Sequence, residues 1–150
     1  MTSIPTEATI NNAWLTDQLN KAGHQVEVTG FQAKRIGTGQ IGKCIRYDLQ
    51  LTGKTDGAPT SLVGKFPSDD ETSRATGVML KNFIKEVSFY QQLQQRLTIA
   101  TPKCYFAVID GEGPDFALLL EDLSPAVQGD QLAGCSVHVA RAAVLELVGL

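Results

Sequence analysis

The chain has 150 residues, 43% of them hydrophobic, and a formal charge of −3. That is enough apolar material for the core of one domain, or one lobe of a larger enzyme, and it excludes a disordered chain. The weak negative charge lacks the basic footprint of a nucleic-acid binder, no run of like charge suggests a membrane anchor, and apolar runs such as residues 116–120 are far too short to cross a bilayer.

The start, Met-Thr-Ser-Ile-Pro-Thr-Glu, has neither the basic nor the apolar region of a signal peptide, so the expected location is the cytoplasm. Cys44, Cys104 and Cys135 are odd in number and widely spaced, which favours free thiols over disulfides or a zinc site. His24 and His138 add no metal cluster.

Residues 10–21 carry Ala13, Trp14, Leu15 and Leu19 on a rough helical stripe, and Ala22-Gly23 supplies a stop. Alternation follows. Val26 and Val28 head one strand, and Ile45, Tyr47, Leu49 and Leu51 share one face of a second. Residues 53–60 are dense in turn formers, and residues 61–66 form a third strand of an antiparallel meander. Over residues 76–97 the period changes, with Met79, Phe83, Val87, Tyr90, Leu93 and Leu97 at intervals of three or four, which predicts one long amphipathic helix ended by Thr101-Pro102. Residues 104–109 and 116–120 predict two strands joined by a hairpin loop over 110–115. A polar stretch then leads to Ser136, which can cap a final helix whose apolar side is Val137, Ala140, Val144, Leu147 and Val148. That helix runs to Leu150 without a stop signal, so truncation before further packing partners is expected, and a dimer through the helix would cover its exposed face.

The expected class is thus α+β: an antiparallel sheet of about five strands with one long packed helix, a short N-terminal helix and a C-terminal helix. Three segments are expected: residues 1–23, a sheet-and-helix unit over 24–123, and a linker with the start of a further lobe over 124–150.

Gly37-Thr-Gly-Gln-Ile-Gly42 matches G-x-G-x-x-G, a spacing in which glycines bring backbone N–H groups close to phosphate oxygens. A dinucleotide fold needs a helix after the glycines, whereas residues 43–51 alternate like a strand. A P-loop needs Lys-Ser or Lys-Thr, and Lys43-Cys44 offers no hydroxyl. A glycine loop between antiparallel strands is the arrangement of the protein-kinase fold, the alternative being an ordinary glycine-rich turn. Lys65 ends the third strand, where such folds hold a lysine on the α- and β-phosphates. Glu86 shares the helix side of Phe83, Tyr90 and Leu93 and would pair with Lys65; local pairing with Lys85 or Lys81 is the alternative. The chain order of these features is that of a kinase N-lobe.

The segments Ile36-Gly-Thr-Gly-Gln-Ile-Gly42, Leu62-Val-Gly-Lys-Phe-Pro67, Phe83-Ile-Lys-Glu-Val-Ser-Phe-Tyr90 and Leu118-Leu-Leu-Glu-Asp-Leu123 resemble the N-terminal part of the aminoglycoside phosphotransferase-like superfamily, with its choline kinase-like and ecdysteroid kinase-like relatives. The resemblance spans roughly residues 24–150. It implies an ATP-dependent phosphotransferase in which Gly37, Gly39, Gly42, Lys65 and Glu86 serve the phosphates. Glu121, Asp122 and Leu123 would be the linker whose backbone meets the adenine. The family's catalytic His-Gly-Asp loop, its asparagine and its second metal-binding aspartate have no counterpart: His138-Val-Ala-Arg141 lacks the aspartate, and Asp115-Phe116-Ala117 precedes the linker. Catalytic residues are therefore expected outside this segment, together with the Mg2+ ligands, and the chain alone is expected to be inactive. The expected partners are ATP and a small-molecule hydroxyl substrate, with antibiotic, sugar, choline and lipid-like alcohol all open. A non-catalytic nucleotide-binding or protein-interaction module is the alternative.

Overall fold

The computed structural model describes residues 4–37, 39–130 and 132–150; residues 1–3 of the expected N-terminal segment, Thr38 in the glycine motif and Gln131 lie outside them. After a 3₁₀ turn at Glu7–Thr9, helix α1 (Asn12–Lys21) opens on Asn11, whose side chain accepts the Trp14 N–H at 2.9 Å. A free side-chain oxygen at this position satisfies one of the backbone donors a helix start leaves unpaired. Strands β1 (Gln25–Ile36), β2 (Gly42–Lys54) and β3 (Ser61–Pro67) form the meander, and β4 (Cys104–Ile109) and β5 (Phe116–Glu121) form a hairpin. The five strands make one antiparallel sheet in the order β1-β2-β3-β5-β4.

The sheet has a layer on each side. Alternation in β2 sends Ile45 and Tyr47 to one face, where they join Leu62, Phe66, Ala117 and Leu119 under Leu15 and Leu19 of α1. Ala13 of the expected stripe points to solvent instead. The opposite face carries Leu118 and Leu120, packed with Phe116 against Phe83 and Val87. Because β5 lies between β3 and β4 with both faces covered, residues 116–120 are all buried, which explains their unbroken apolar run.

The α+β class and the antiparallel sheet agree with expectation; the helix over 76–97 is not continuous. Helix α2 (Glu71–Met79) starts earlier, on Asp70, whose carboxylate accepts the Ser73 N–H at 2.7 Å. It ends at Leu80, and Lys81 takes a left-handed conformation with φ of 55°. Helix α3 (Asn82–Ser88) follows at a new angle, then a π-helical turn Phe89–Leu93 and a 3₁₀ turn Gln94–Arg96. The break takes Met79 out of the buried stripe, to 73% exposure. It also lays Phe83 against Gly77, where a Cβ would overlap the phenyl ring.

The last helix, α4 (Val137–Glu146), is capped as expected by Ser136, which accepts the Val139 N–H at 3.3 Å. It stops before Leu150 and passes into a 3₁₀ turn at Leu147–Gly149. Its residues are exposed. Its end is held only lightly: Thr98 N–H donates to the Gly149 carbonyl at 2.9 Å and Ala100 N–H to the Glu146 carboxylate at 2.9 Å. No helix among the described residues is long and apolar enough to cross a membrane.

Candidate functional site

Period-two alternation decides which side chains meet beneath the sheet. In the β2–β3 register Cys44 faces Lys65 and Arg46 faces Val63, and across β3 Lys65 faces Leu118. These residues share the face that α3 covers, so Lys65 and Glu86 approach from sheet and helix respectively. The Lys65 Nζ donates to both Glu86 carboxylate oxygens at 2.7 Å. The local pairings are not formed: Lys85 donates to the Leu80 carbonyl at 3.0 Å and Lys81 to Glu112 at 3.0 Å.

The glycine turn closes one end of this space. Gly37 has φ of +72°, a conformation that side-chain-bearing residues rarely adopt. A Cβ on Gly42 would sit 3.2 Å from the Phe66 carbonyl oxygen and 3.3 Å from Lys65 Cε, a tight fit that a larger residue would relieve only by displacing the strand or the lysine. Gly39 approaches the Gly42 carbonyl in the same way, with a Cβ position 2.8 Å from it. Ile41, Gly42, Lys65, Asn82, Phe83 and Glu86 line an open cavity of about 530 Å³, with Lys85 at its edge.

Phosphate-bearing ligands fit these residues. Gly42 of the turn and Lys65 line the same open cavity, and Lys65 retains 27% side-chain exposure and Glu86 31%. Nothing comparable favours magnesium on the protein itself, since among the described residues no three His, Cys, Asp or Glu side chains converge on one point.

Glu121, Asp122 and Leu123 lie at the far end of the sheet from the glycine turn, and Asp122 meets Arg46 of this face. The Glu121 N–H donates to the Lys103 carbonyl at 2.8 Å and its carboxylate accepts the Lys103 N–H at 3.0 Å, tying the segment to β4. The Asp122 carboxylate is engaged internally, by Arg46 at 2.8 Å, the Ser61 hydroxyl at 2.8 Å and the Ser124 N–H at 3.0 Å. The Leu123 side chain is exposed here.

Sequence reasoning passed over two residues on this face. Cys44 sits two positions beyond Gly42, and its thiol is pushed up by burial, with the Lys65 charge opposing and the Glu86 charge adding to the shift. Arg46 follows two positions later. Counting by two from Gly42 would have found both.

A larger cavity of about 1040 Å³ opens beside the N-terminal segment and the β4–β5 hairpin. Its lysine, Lys43, is already held by Asp69 at 2.6 Å and Glu7 at 2.8 Å, and none of the expected site residues lines it. Of the expected site residues, Gly42, Lys65 and Glu86 line the smaller cavity, and Gly37, Gly39 and residues 121–123 do not. No protein-family model matches the chain, and no curated protein matches it either.

Proposed function

We propose that this chain is the nucleotide-binding portion of an ATP-dependent phosphotransferase acting on a small-molecule hydroxyl. The observation that carries the reading is the Lys65 ammonium held on both Glu86 oxygens at 2.7 Å, beside a glycine turn. Phosphoryl transfer is catalysed mainly by positioning and charge stabilisation, so a cation fixed against a backbone cradle is the equipment such a reaction needs for its phosphates. Gly37, Gly39 and Gly42 would cradle the phosphates, Lys65 would neutralise them, and Glu86 would aim Lys65. Residues 121–123 would receive the base, and Mg2+ would arrive with the phosphates. Among the residues that line the cavity the one carboxylate is Glu86, which is committed to Lys65, so the share of this chain would be binding and orientation.

Calorimetry with ATP and magnesium tests the reading. Weak binding is expected, reduced by both Lys65→Ala and Glu86→Ala. Two variants that bind as well as the parent, or a parent that binds nothing at millimolar ATP, would overturn it.

A further inference from the structure

At the opposite end of the face from the glycine turn lies a second charged cluster. Arg46 meets the Asp122 carboxylate with Nη2 donating to Oδ1 at 3.1 Å and with Nε 2.8 Å from Oδ2 but not aligned to donate to it. The Asp122 side chain is only 5% exposed, and its two oxygens also accept the Ser61 hydroxyl and the Ser124 N–H. One buried carboxylate therefore joins β2, the start of β3 and the backbone that follows β5. A carboxylate taken at once by a guanidinium, a hydroxyl and a backbone N–H is fixed in orientation as well as distance, which a single contact does not achieve.

The cluster occupies a defined place relative to Lys65. Ser61 precedes Lys65 by four positions in the same strand, a separation of about 13 Å at the rise of a β-strand. Val63 lies between them on that face, with Arg46 across from it, and Cys44 stands across from Lys65. A nucleotide with its phosphates at Lys65 would reach along this row with its base beneath Arg46 and beside residues 121–124.

Building on the nucleotide reading, we infer that Arg46 and Asp122 are positioning residues that hold the 121–124 backbone at the height needed to take the base, without touching it. Their contribution is confined to the base and absent from the phosphates. That separates the clamp from a general support of the fold, which would weaken every ligand alike.

The test compares ATP with inorganic tripolyphosphate, both with magnesium, by calorimetry on the parent chain, Arg46→Met and Asp122→Asn. The parent should bind ATP more tightly than tripolyphosphate. Each variant should lose about tenfold in ATP affinity, the scale of one hydrogen bond to a charged group, and keep its tripolyphosphate affinity. If Arg46→Met does not fold, Arg46→Lys, which keeps the charge and loses the Nη2 hydrogen bond, carries the same comparison. Equal losses for both ligands, or no loss for either, overturn the clamp and leave the nucleotide reading intact. A parent that binds the two ligands equally overturns the clamp and the placing of the base on residues 121–123, and leaves only the phosphate site at Lys65. A parent that binds neither overturns both.

Discussion

Lys65 and Glu86 each keep more than a quarter of their side-chain surface in water. An ion pair that exposed is worth at most about 1 kcal/mol to the fold, so its value lies in where it points the ammonium. Asp122 is the opposite case. Burial pushes its carboxyl up, but the Ser124 N–H, the Ser61 hydroxyl and Arg46 outweigh that effect and hold it below the usual carboxylate range. A carboxylate depressed in the folded state stabilises the protein above its unfolded value, about pH 4, and that contribution disappears as pH falls through the lower folded value. Thermal melts taken downward from neutral pH should therefore show a shallower acid-side fall in Asp122→Asn than in the parent. Some fall should persist in the variant, because Asp69, chiefly through Lys43, and Asp70, chiefly through Ser73, are lowered too. Superimposable slopes for the two proteins would show that the Asp122 cluster does not titrate as described.

The helices show where local pattern stops being informative. An isolated glycine in a helix costs about 1 kcal/mol relative to alanine, so Gly77→Ala in α2 would ordinarily stabilise. Here the added carbon would meet the Phe83 ring and lie 2.7 Å from the Ile41 side chain. Overpacking of this kind costs about 1–3 kcal/mol, enough to reverse the sign. Urea melts should place the variant below the parent; a gain in stability would mean that α2 is free to move off Phe83. The five strands were legible because period two and turn residues are local signals, and Lys65 and Glu86 followed from two such periods meeting. The break at Lys81 was not legible, since a lysine in a left-handed conformation leaves no mark of the kind a glycine would. The Asp122 clamp was equally hidden: Arg46 and Asp122 lie 76 residues apart, and only the sheet order brings them together.

For the molecule as a whole, the same sheet order has a consequence for kinetics. The β1–β2–β3 meander is closed by short connections, whereas β5 must find β3 across the helices and β4, pairing Leu62 with Glu121. Closing long loops before contacts repay them is what slows folding, so the meander is expected to form first and the β3–β5 seam later. Pulse-labelling exchange during refolding should protect amides of β2 before those of β5; simultaneous protection would argue against this order. Lys65 belongs to the early part, while Glu86 and the 121–124 backbone join with the late part. A nucleotide touching both would find its site incomplete until the seam closes. It should therefore leave the refolding rate almost unchanged and act by slowing unfolding, lengthening the lifetime of a structure it had no part in building.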